Sequence, residues 1–301
     1  MDTRTGQGQA NTGMTKTILL LKENGAIPIP YIVDIMAREW IELGHRVINH
    51  AGNRNLPDAD ILFLHVDRTL VPEEYVNCAS KYPVVINGKI LDISRKRYST
   101  AKLGKDDEYG GPVIVKTNEN YGGFPEHRSV LKSLSIASTR LLLRQTQLKV
   151  WRQMARSWSR LSSLDPLEYP IFNNIGAVPS GVWKNNNFIV ERFIPEREGN
   201  LFFVRYWTFF GDKNLTGRYG CPHPIVKFHR CVTAIMPVDI PEELILWRKK
   251  LNMDYGRFDY VMYEGKPVLL DVNKTQAAGQ LTDGYREQFA ALSAGIDCYL
   301  K

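Results

Sequence analysis

The chain lacks several features that define well-known protein classes. Its 301 residues contain no run of 18 apolar residues, so we expect no membrane-spanning helix. Residues 1–15 are polar and lack the apolar core of a signal peptide, and we interpret them as a disordered leader. Four cysteines are too few for a disulfide framework in a chain of this length. These absences predict a protein of the reducing cytoplasm.

Composition and charge narrow the ligand class only slightly. The chain is 44% hydrophobic and 24% charged, as in ordinary soluble proteins. Its net charge of +7 suits an anionic ligand such as a nucleotide, and we expect no nucleic-acid partner. No Gly-x-Gly-x-x-Gly follows the first apolar segment, which disfavours a dinucleotide-binding domain.

The first third of the chain alternates between two kinds of hydrophobic pattern. Short apolar runs at 17–22, 47–49, 61–64 and 84–86 predict strands; helical spacing covers 31–43 and 72–81. Gly44 follows the first helical pattern as a C-terminal cap. Strand–helix–strand alternation with short connections predicts a small parallel α/β domain over residues 16–92.

Residues 254–275 carry the most informative pattern, because two β-rich runs flank a Glu-Gly-Lys-Pro turn and predict a hairpin. Side chains alternate across a strand, so Asp271 and Asn273 lie on one face, and Asp259 reaches it from the paired strand. These oxygen groups are suitable ligands for a magnesium ion bridging phosphates. Arg257 lies on the same face, a fixed cation beside that ion.

Two further segments offer contacts for a nucleotide. Lys116 ends an apolar strand and precedes a polar loop that ends in Gly-Gly. Its ammonium is therefore either a phosphate clamp or an edge lysine reaching for solvent. Strand 188–193 stops at Pro195, which leaves backbone groups free to bind adenine.

The order of these motifs resembles the ATP-grasp enzymes, whose final strands carry Arg-x-Asp…Glu-x-Asn. Asp271 replaces the usual Glu here, and this shorter carboxylate still suits a hard cation. The resemblance implies an α/β fold with α+β lobes, in which the small first domain precedes a two-lobed ATP-grasp domain. The first lobe would span 93–190, with a basic helical insert at 127–164, and the second would span 191–301.

The resemblance also implies roles for individual residues, with ATP and Mg²⁺ (or Mn²⁺) as cofactors. The implied nucleotide contacts are Lys96, Arg97, Lys116, Glu191, Phe193, Ile194 and Glu198, with Arg97 preferred slightly over Lys96. The implied metal ligands are Asp259, Asp271 and Asn273, and the implied catalytic cations are Arg257, Arg205 and Arg218. From the residues alone, Arg205 and Arg218 equally suit cross-strand pairing with acidic side chains.

The function that follows is an ATP-dependent ligase joining a small-molecule or peptide carboxylate to an amine (or thiol) through an acyl phosphate. The D-alanine-ligase branch ends this hairpin with Asn-x-Ser-Pro-Gly, whereas Lys274-Thr-Gln follows Asn273 here, so its substrates are not carried over. An ATP-grasp kinase acting on a hydroxyl and a non-catalytic ATP-binding regulator are the alternatives.

Two features fit the resemblance less well. Residues 127–164 contain eight Arg or Lys and no Asp or Glu, with an apolar stripe at helical spacing. This insert suits an anionic membrane surface or an acidic partner, or it is a helix with a solvated basic face. A Cys-x-His…His-x-Cys pair suits zinc in its ligand types but not in its spacing. Its members are Cys221, His223, His229 and Cys231. A homo-oligomer is compatible with the sequence.

Overall fold

The structure is a computed structural model, and it describes residues 15–25, 29–126, 158–278 and 283–300. The predicted leader up to residue 14 and most of the basic insert, residues 127–157, lie outside the described residues. Within the described ranges, no helix combines the length and the apolar character needed to cross a membrane.

The first sheet is parallel and is covered by two helices. Its strands are β1 (Thr17–Lys22), β2 (Arg46–Ala51), β3 (Ile61–His65) and β4 (Val84–Ile86), and its helices are α1 (Ile32–Glu42) and α2 (Glu73–Ala79). β3 is buried along its whole length and β1 along all but its ends, as expected for central strands of a parallel sheet. Gly44 has a φ of +90°, which allows the chain to leave α1 there.

The strand order β2-β1-β3-β4 gives this sheet a crevice. From β1 the chain moves to β2 on one side and then crosses to β3 on the other. The connections at the carboxyl ends of β1 and β3 therefore diverge. Ligands of open α/β sheets bind at such a reversal point. Lys22 and His65 end the two strands there.

The second sheet is antiparallel, with the order β5-β8-β6-β7. Its elements are α3 (Arg95–Tyr98), β5 (Lys102–Leu103), β6 (Val113–Thr117), β7 (Ile171–Phe172), α4 (Ser180–Trp183) and β8 (Phe188–Arg192). Short 3-10 turns cover Asn120–Gly123, Trp158–Arg160 and Ile175–Ala177. An apolar cluster that includes Val115, Trp158 and Phe188 holds this sheet to its covering turns.

The third sheet has the order β12-β11-β10-β13-β14, with β9 pairing to β10. Its elements are β9 (Glu196–Glu198), β10 (Leu201–Phe210), β11 (Lys213–Cys221), β12 (Thr233–Ile235), α5 (Glu242–Leu251), β13 (Tyr255–Tyr263), β14 (Lys266–Asn273) and α6 (Asp283–Leu292). The 3-10 turns Phe228–Arg230 and Ser293–Tyr299 complete it. One parallel and two antiparallel sheets confirm the predicted fold class.

One apolar cluster joins the first sheet to the third. Trp40 and Phe63 pack against Phe210, with ring centroids 5.9 and 5.8 Å away, and Phe63 also meets Tyr255 edge-on at 5.3 Å. The Trp40 indole donates to the Ser293 carbonyl at 2.9 Å. The parallel sheet is therefore fixed against the strands that carry the predicted metal hairpin.

Candidate active site

A cleft lies between the second and third sheets. Its apolar walls include Ile114, Val204, Val261 and Leu270. Six charged side chains line the same space, and they are Arg95, Lys116, Arg192, Lys227, Asp259 and Asp271. The cleft therefore joins an apolar region to a cluster of fixed charges, as a nucleotide requires.

The hairpin β13–β14 brings the predicted metal ligands together. Its two-residue turn places Glu264 and Gly265 at φ +50° and +77°, as in tight turns between twisted strands. Asp259 lies directly opposite Asp271, and a register shift follows Asp259. Asn273 pairs with Arg257 one step further along the same face.

Each of these oxygen groups has a partner in the protein. Arg257 Nε donates to Asp259 Oδ1 at 2.6 Å, and the Arg95 guanidinium lies 3.1 Å from Asp271 Oδ1. Asn273 Oδ1 accepts from the Thr275 amide at 2.8 Å. Burial raises the pKa of Asp259; Arg257 opposes this shift and the Asp271 charge adds to it.

The donor set fits a hard divalent cation. Two facing carboxylates and an amide oxygen are ligands that Mg²⁺ accepts, and a cation between the carboxylates would offset the burial and repulsion that raise the pKa of Asp259. No group of three or more His, Cys, Asp or Glu able to hold a metal occurs in the described part of the chain. A metal here would therefore use the amide and other oxygen donors besides the two Asp.

Lys116 and Glu191 form a buried ion pair between neighbouring strands of the second sheet. Lys116 Nζ lies 2.7 Å from Glu191 Oε2, and the two side chains are 10% and 2% exposed. Burial acts to raise the pKa of Glu191, but the charges of Lys116 and Arg95 outweigh it and lower that pKa. Glu191 is therefore ionised at neutral pH, and Lys116 lines the cleft.

The segment predicted to bind adenine lies only partly in the cleft. Phe193, Ile194 and Pro195 line the cleft directly after β8. The Phe193 amide is already engaged, since it donates to the Pro112 carbonyl at 2.9 Å. Glu198 lies on β9 with its side chain 55% exposed and is not among the residues that line the cleft.

Arg205 and Arg218 pair with acidic residues, which is the second of the two roles that their sequence positions allowed. They face each other across β10 and β11. Arg205 donates to Glu196 at 2.7 to 3.0 Å, and Arg218 pairs with Glu198 and lies 3.6 Å from Glu196. Neither arginine lines the cleft.

The basic helix α3 presents a different residue to the cleft from the two that the sequence suggested. Arg97 is 61% exposed and lies 3.8 Å from Asp92, and the Lys96 ammonium donates to the Asn186 carbonyl. Arg95 is 4% exposed and lines the cleft. It donates to the Leu270 carbonyl at 2.7 Å and so ties α3 to β14. Arg95 is thus the residue of α3 that lines the cleft, and the nucleotide contacts expected of Arg97 and Lys96 stay predictions.

Two further cleft residues escaped sequence reasoning. Lys227 lies in the connection between β11 and β12, and burial lowers its pKa while the Asp271 charge opposes that shift. Tyr169 lies just before β7. Neither position follows a periodic pattern, so only the folded chain reveals them.

The residues of the Cys-x-His…His-x-Cys pair form no metal site in the described part of the chain. The Cys221 thiol donates to the His223 carbonyl at 3.1 Å, and the Cys231 thiol donates to the Lys227 carbonyl at 3.3 Å. The His223 ring lies 3.1 Å from the Ile225 amide nitrogen. All four residues are described, and they form no metal cluster. Cys221, His223 and Cys231 are engaged in local loop hydrogen bonds instead.

No protein-family model and no curated protein sequence matches the chain. Its structure is similar to the macrocyclase MdnC bound with precursor peptide MdnA from Microcystis aeruginosa MRC, with a TM-score of 0.50 and 9% identity over 93% of this chain and 99% of that one. A RimK domain protein ATP-grasp from Sphaerobacter thermophilus has a TM-score of 0.49 and 12% identity over 95% of this chain and 100% of that one. D-alanine–D-alanine ligase from Bacillus anthracis has a TM-score of 0.47 and 13% identity over 95% of this chain and 98% of that one. At these identities the similarity concerns the fold.

Proposed function

We propose that this chain, which has the ATP-grasp fold, is an ATP-dependent ligase that joins a carboxylate to an amine (or thiol). One observation carries the proposal. The cations Arg95, Lys116 and Lys227 and the facing carboxylates Asp259 and Asp271 line one cleft that also has apolar walls. Phosphates need the cations, a bridging metal needs the carboxylates, and a base needs the apolar walls.

The nucleotide would lie along the cleft from its apolar end, at Phe193 and Ile194, to its charged end. Phe193 and Ile194 would contact the adenine, and Glu191 would be fixed nearby by its ion pair with Lys116. Lys116, Arg95 and Lys227 would face the phosphates. Each cation is largely shielded from water, which strengthens its attraction for a phosphate.

Asp259, Asp271 and Asn273 would hold the magnesium ion, which supplies charge neutralisation on the phosphates when it is bound. Arg257 is fixed by its bond to Asp259 and by stacking over the Tyr206 ring, 4.6 Å from the centroid. It would stabilise negative charge that develops on the reacting acyl group. Glu196 and Glu198 hold Arg205 and Arg218 close to this region of the third sheet, as supporting cations.

The reaction balances without a nucleophilic side chain. A substrate carboxylate oxygen attacks the γ-phosphorus of ATP while the bond to the β–γ bridging oxygen breaks, giving an acyl phosphate and ADP. The amine then attacks the acyl carbon, loses a proton and expels inorganic phosphate. MdnC is bound with a precursor peptide in its structure, which supports including peptide carboxylates among the test substrates.

The experiment is a search for ADP release with Mg²⁺, ATP and a panel of carboxylates, peptides and amines, with hydroxylamine present in a parallel reaction. Hydroxylamine captures an acyl phosphate as a hydroxamate, so a ligase yields a hydroxamate when its carboxylate is supplied. ADP release that needs only a hydroxyl acceptor would identify a kinase instead. Nucleotide binding without turnover across the panel would identify a regulator. Asp271→Asn is the inactive control.

A further inference from the structure

Each carboxylate of the hairpin β13–β14 has one oxygen engaged by an arginine. Arg257 Nε donates to Asp259 Oδ1 at 2.6 Å, and the Arg95 guanidinium lies 3.1 Å from Asp271 Oδ1. The Oδ2 atoms of Asp259 and Asp271 accept no hydrogen bond from any residue that the structure describes. The hairpin thus presents one free carboxylate oxygen from each strand, at positions directly opposite each other.

Asp271 Oδ1 has the largest number of partners among these oxygens. Besides the Arg95 contact, it accepts from the Tyr98 hydroxyl at 3.2 Å and from the Val272 amide at 3.1 Å. A carboxylate oxygen has two lone pairs, so an oxygen with three donors around it has none left for a metal ion. Asp271 is therefore limited to one metal contact, through Oδ2.

Arg95 is held in place from several sides. Its guanidinium donates to the Leu270 carbonyl at 2.7 Å and to the Tyr98 hydroxyl at 3.1 Å. Its backbone amide donates to the Asn118 carbonyl at 3.0 Å, directly after β6. Arg95 and Tyr98 are 4% and 2% exposed, and Tyr98 belongs to an apolar cluster that includes residues of β14. To leave Asp271, the guanidinium would have to break these bonds where little water can replace them.

A centre of two divalent ions makes a different demand on its carboxylates. The two ions lie about 3.5–4 Å apart, and a carboxylate that joins them contacts one ion with each oxygen. Neither carboxylate of this hairpin is free to do so, because an arginine already occupies one oxygen of each. Asp271 is also one methylene shorter than the Glu of the ATP-grasp motif, which reduces its reach.

We propose that this site holds a single divalent ion and that Arg95 takes the place of a second one. Asp259 Oδ2, Asp271 Oδ2 and the Asn273 amide oxygen would hold the ion. The inference rests on the proposed function, in which a triphosphate and its metal lie in the cleft. Arg95 lines that cleft, so its fixed charge would act on the phosphates where a second ion would otherwise lie.

A guanidinium differs from a metal ion in what it supplies. It contributes one positive charge and a planar set of hydrogen-bond donors, and its presence does not depend on the metal concentration. The phosphate charge would be balanced by one ion together with Arg95, Lys116 and Lys227, which all line the cleft. We therefore expect the chain to saturate with one divalent ion for each bound nucleotide.

Counting bound Mn²⁺ tests the inference, because Mn²⁺ takes the same oxygen ligands as Mg²⁺. Equilibrium dialysis against Mn²⁺ and AMP-PNP gives the excess of each on the protein side, and hence the number of ions per bound nucleotide. We expect one Mn²⁺ per AMP-PNP, with an electron paramagnetic resonance spectrum that shows no coupling between ions. Two ions per nucleotide on the wild-type chain, magnetically coupled by their proximity, would overturn the inference.

Arg95→Met removes the guanidinium and frees Asp271 Oδ1 for a metal ion. We expect a second Mn²⁺ to bind to this variant, so that the ratio rises from one to two ions per bound AMP-PNP. Arg97→Met, at the exposed arginine of the same helix, is the matched control and should keep a ratio of one. A folded Arg95→Met variant that still binds a single ion would show that Arg95 does not replace one.

The same measurements separate this inference from the proposed function. One Mn²⁺ per chain without any bound AMP-PNP would support the single-ion site and overturn the proposed ligase. AMP-PNP bound without Mn²⁺ would overturn the single-ion site and leave a nucleotide-binding chain. The wild-type ratio decides between one ion and two whether or not Arg95→Met folds.

Discussion

The nucleotide cleft and the crevice of the parallel sheet treat buried charge in opposite ways. In the cleft, Lys116 lies 2.7 Å from Glu191, and Arg257 Nε lies 2.6 Å from Asp259. Lys274 directly follows β14, in the segment that bridges to Tyr31 at the crevice, and it is as deeply buried with no hydrogen-bond partner within the described chain. Paired charges hold their geometry before a ligand arrives, whereas an unpaired buried charge destabilises the fold.

This contrast indicates how each region would respond to mutation. Removing one member of a buried pair leaves the other charge uncompensated and lowers stability. Removing an unpaired buried charge, as Lys274→Met does, relieves a cost and raises stability. The two responses have opposite signs, so stability and ligand affinity measured on the same variants test the comparison directly.

The largest effect should follow Lys116→Met. Glu191 would then be buried without its partner, and we expect a loss of about 3–5 kcal/mol in the free energy of unfolding. AMP-PNP affinity should also fall, because the ammonium lines the cleft. Urea unfolding and calorimetric titration measure the two effects.

The double variant Lys116→Met/Glu191→Gln separates the effect on stability from the effect on nucleotide affinity. Neutralising the stranded carboxyl should restore much of the stability and none of the nucleotide affinity. Lys102→Met is the matched control, since Lys102 is the exposed cross-strand neighbour of Glu191. Normal AMP-PNP affinity in the folded double variant would show that Lys116 serves the fold and not the nucleotide.

The crevice should give the protein an acid-sensitive step. Burial and the Lys22 charge lower the pKa of His65 to about 4. The unfolded chain takes up this proton near pH 6.5 and the folded chain only near 4, so stability should fall as pH decreases between these values and level off below. The loss is about 3 kcal/mol for a shift of this size. Urea unfolding at a series of pH values measures it.

His65→Gln isolates this step, because other acids also titrate in the same range. The difference in unfolding free energy between wild type and variant should change by about 3 kcal/mol between pH 7 and pH 4. His229→Gln, at an exposed position, should leave the wild-type profile intact. If the unfolding free energies of His65→Gln and wild type fell in parallel as pH decreased, the imidazole would be protonated in the folded protein over the same pH range as in the unfolded chain.

Sequence reasoning succeeded where side-chain alternation decides the outcome. The positions of Asp259, Asp271 and Asn273 on one face follow from strand periodicity and a turn with two positive φ values. The parallel first sheet follows from apolar runs separated by helical spacing. Both signals are local, so no knowledge of distant contacts was needed.

It did not single out Arg95, because a distant contact distinguishes this residue from its basic neighbours. Arg95, Lys96 and Arg97 are consecutive basic residues in a four-residue helix, and only the packing of α3 against β14 selects Arg95. Lys274 follows the hairpin motif without a pattern of its own. Its burial is visible only in the folded chain.

Removing one carboxylate from the hairpin should have an intermediate effect. Asp271→Asn and Asp259→Asn each keep the side-chain shape and lose one anionic oxygen ligand. We expect the enhancement of AMP-PNP affinity by Mg²⁺ to fall roughly tenfold or more in each variant, the scale of a charged contact.

The control for the hairpin is Asp212→Asn, at an exposed acid in the turn between β10 and β11. It should leave the Mg²⁺ dependence unchanged. If both hairpin variants also kept normal Mg²⁺ dependence, Asp259 and Asp271 would serve only to orient Arg257 and Arg95, and the ligase proposal would fail with the metal site.

The smallest effect should follow Arg97→Gln. Its side chain is 61% exposed, and its partner Asp92 lies at 3.8 Å. An exposed pair of this kind contributes at most about 0.5–1 kcal/mol, and salt screens it. We therefore expect nucleotide affinity to change less than about twofold, whereas Arg95→Gln should weaken both nucleotide binding and the link between α3 and β14. Calorimetric titration of both variants at low and high salt tests this order. A larger loss for Arg97 than for Arg95 would mean that α3 turns its other face to the nucleotide, and the charged end of the cleft would then differ from the one described.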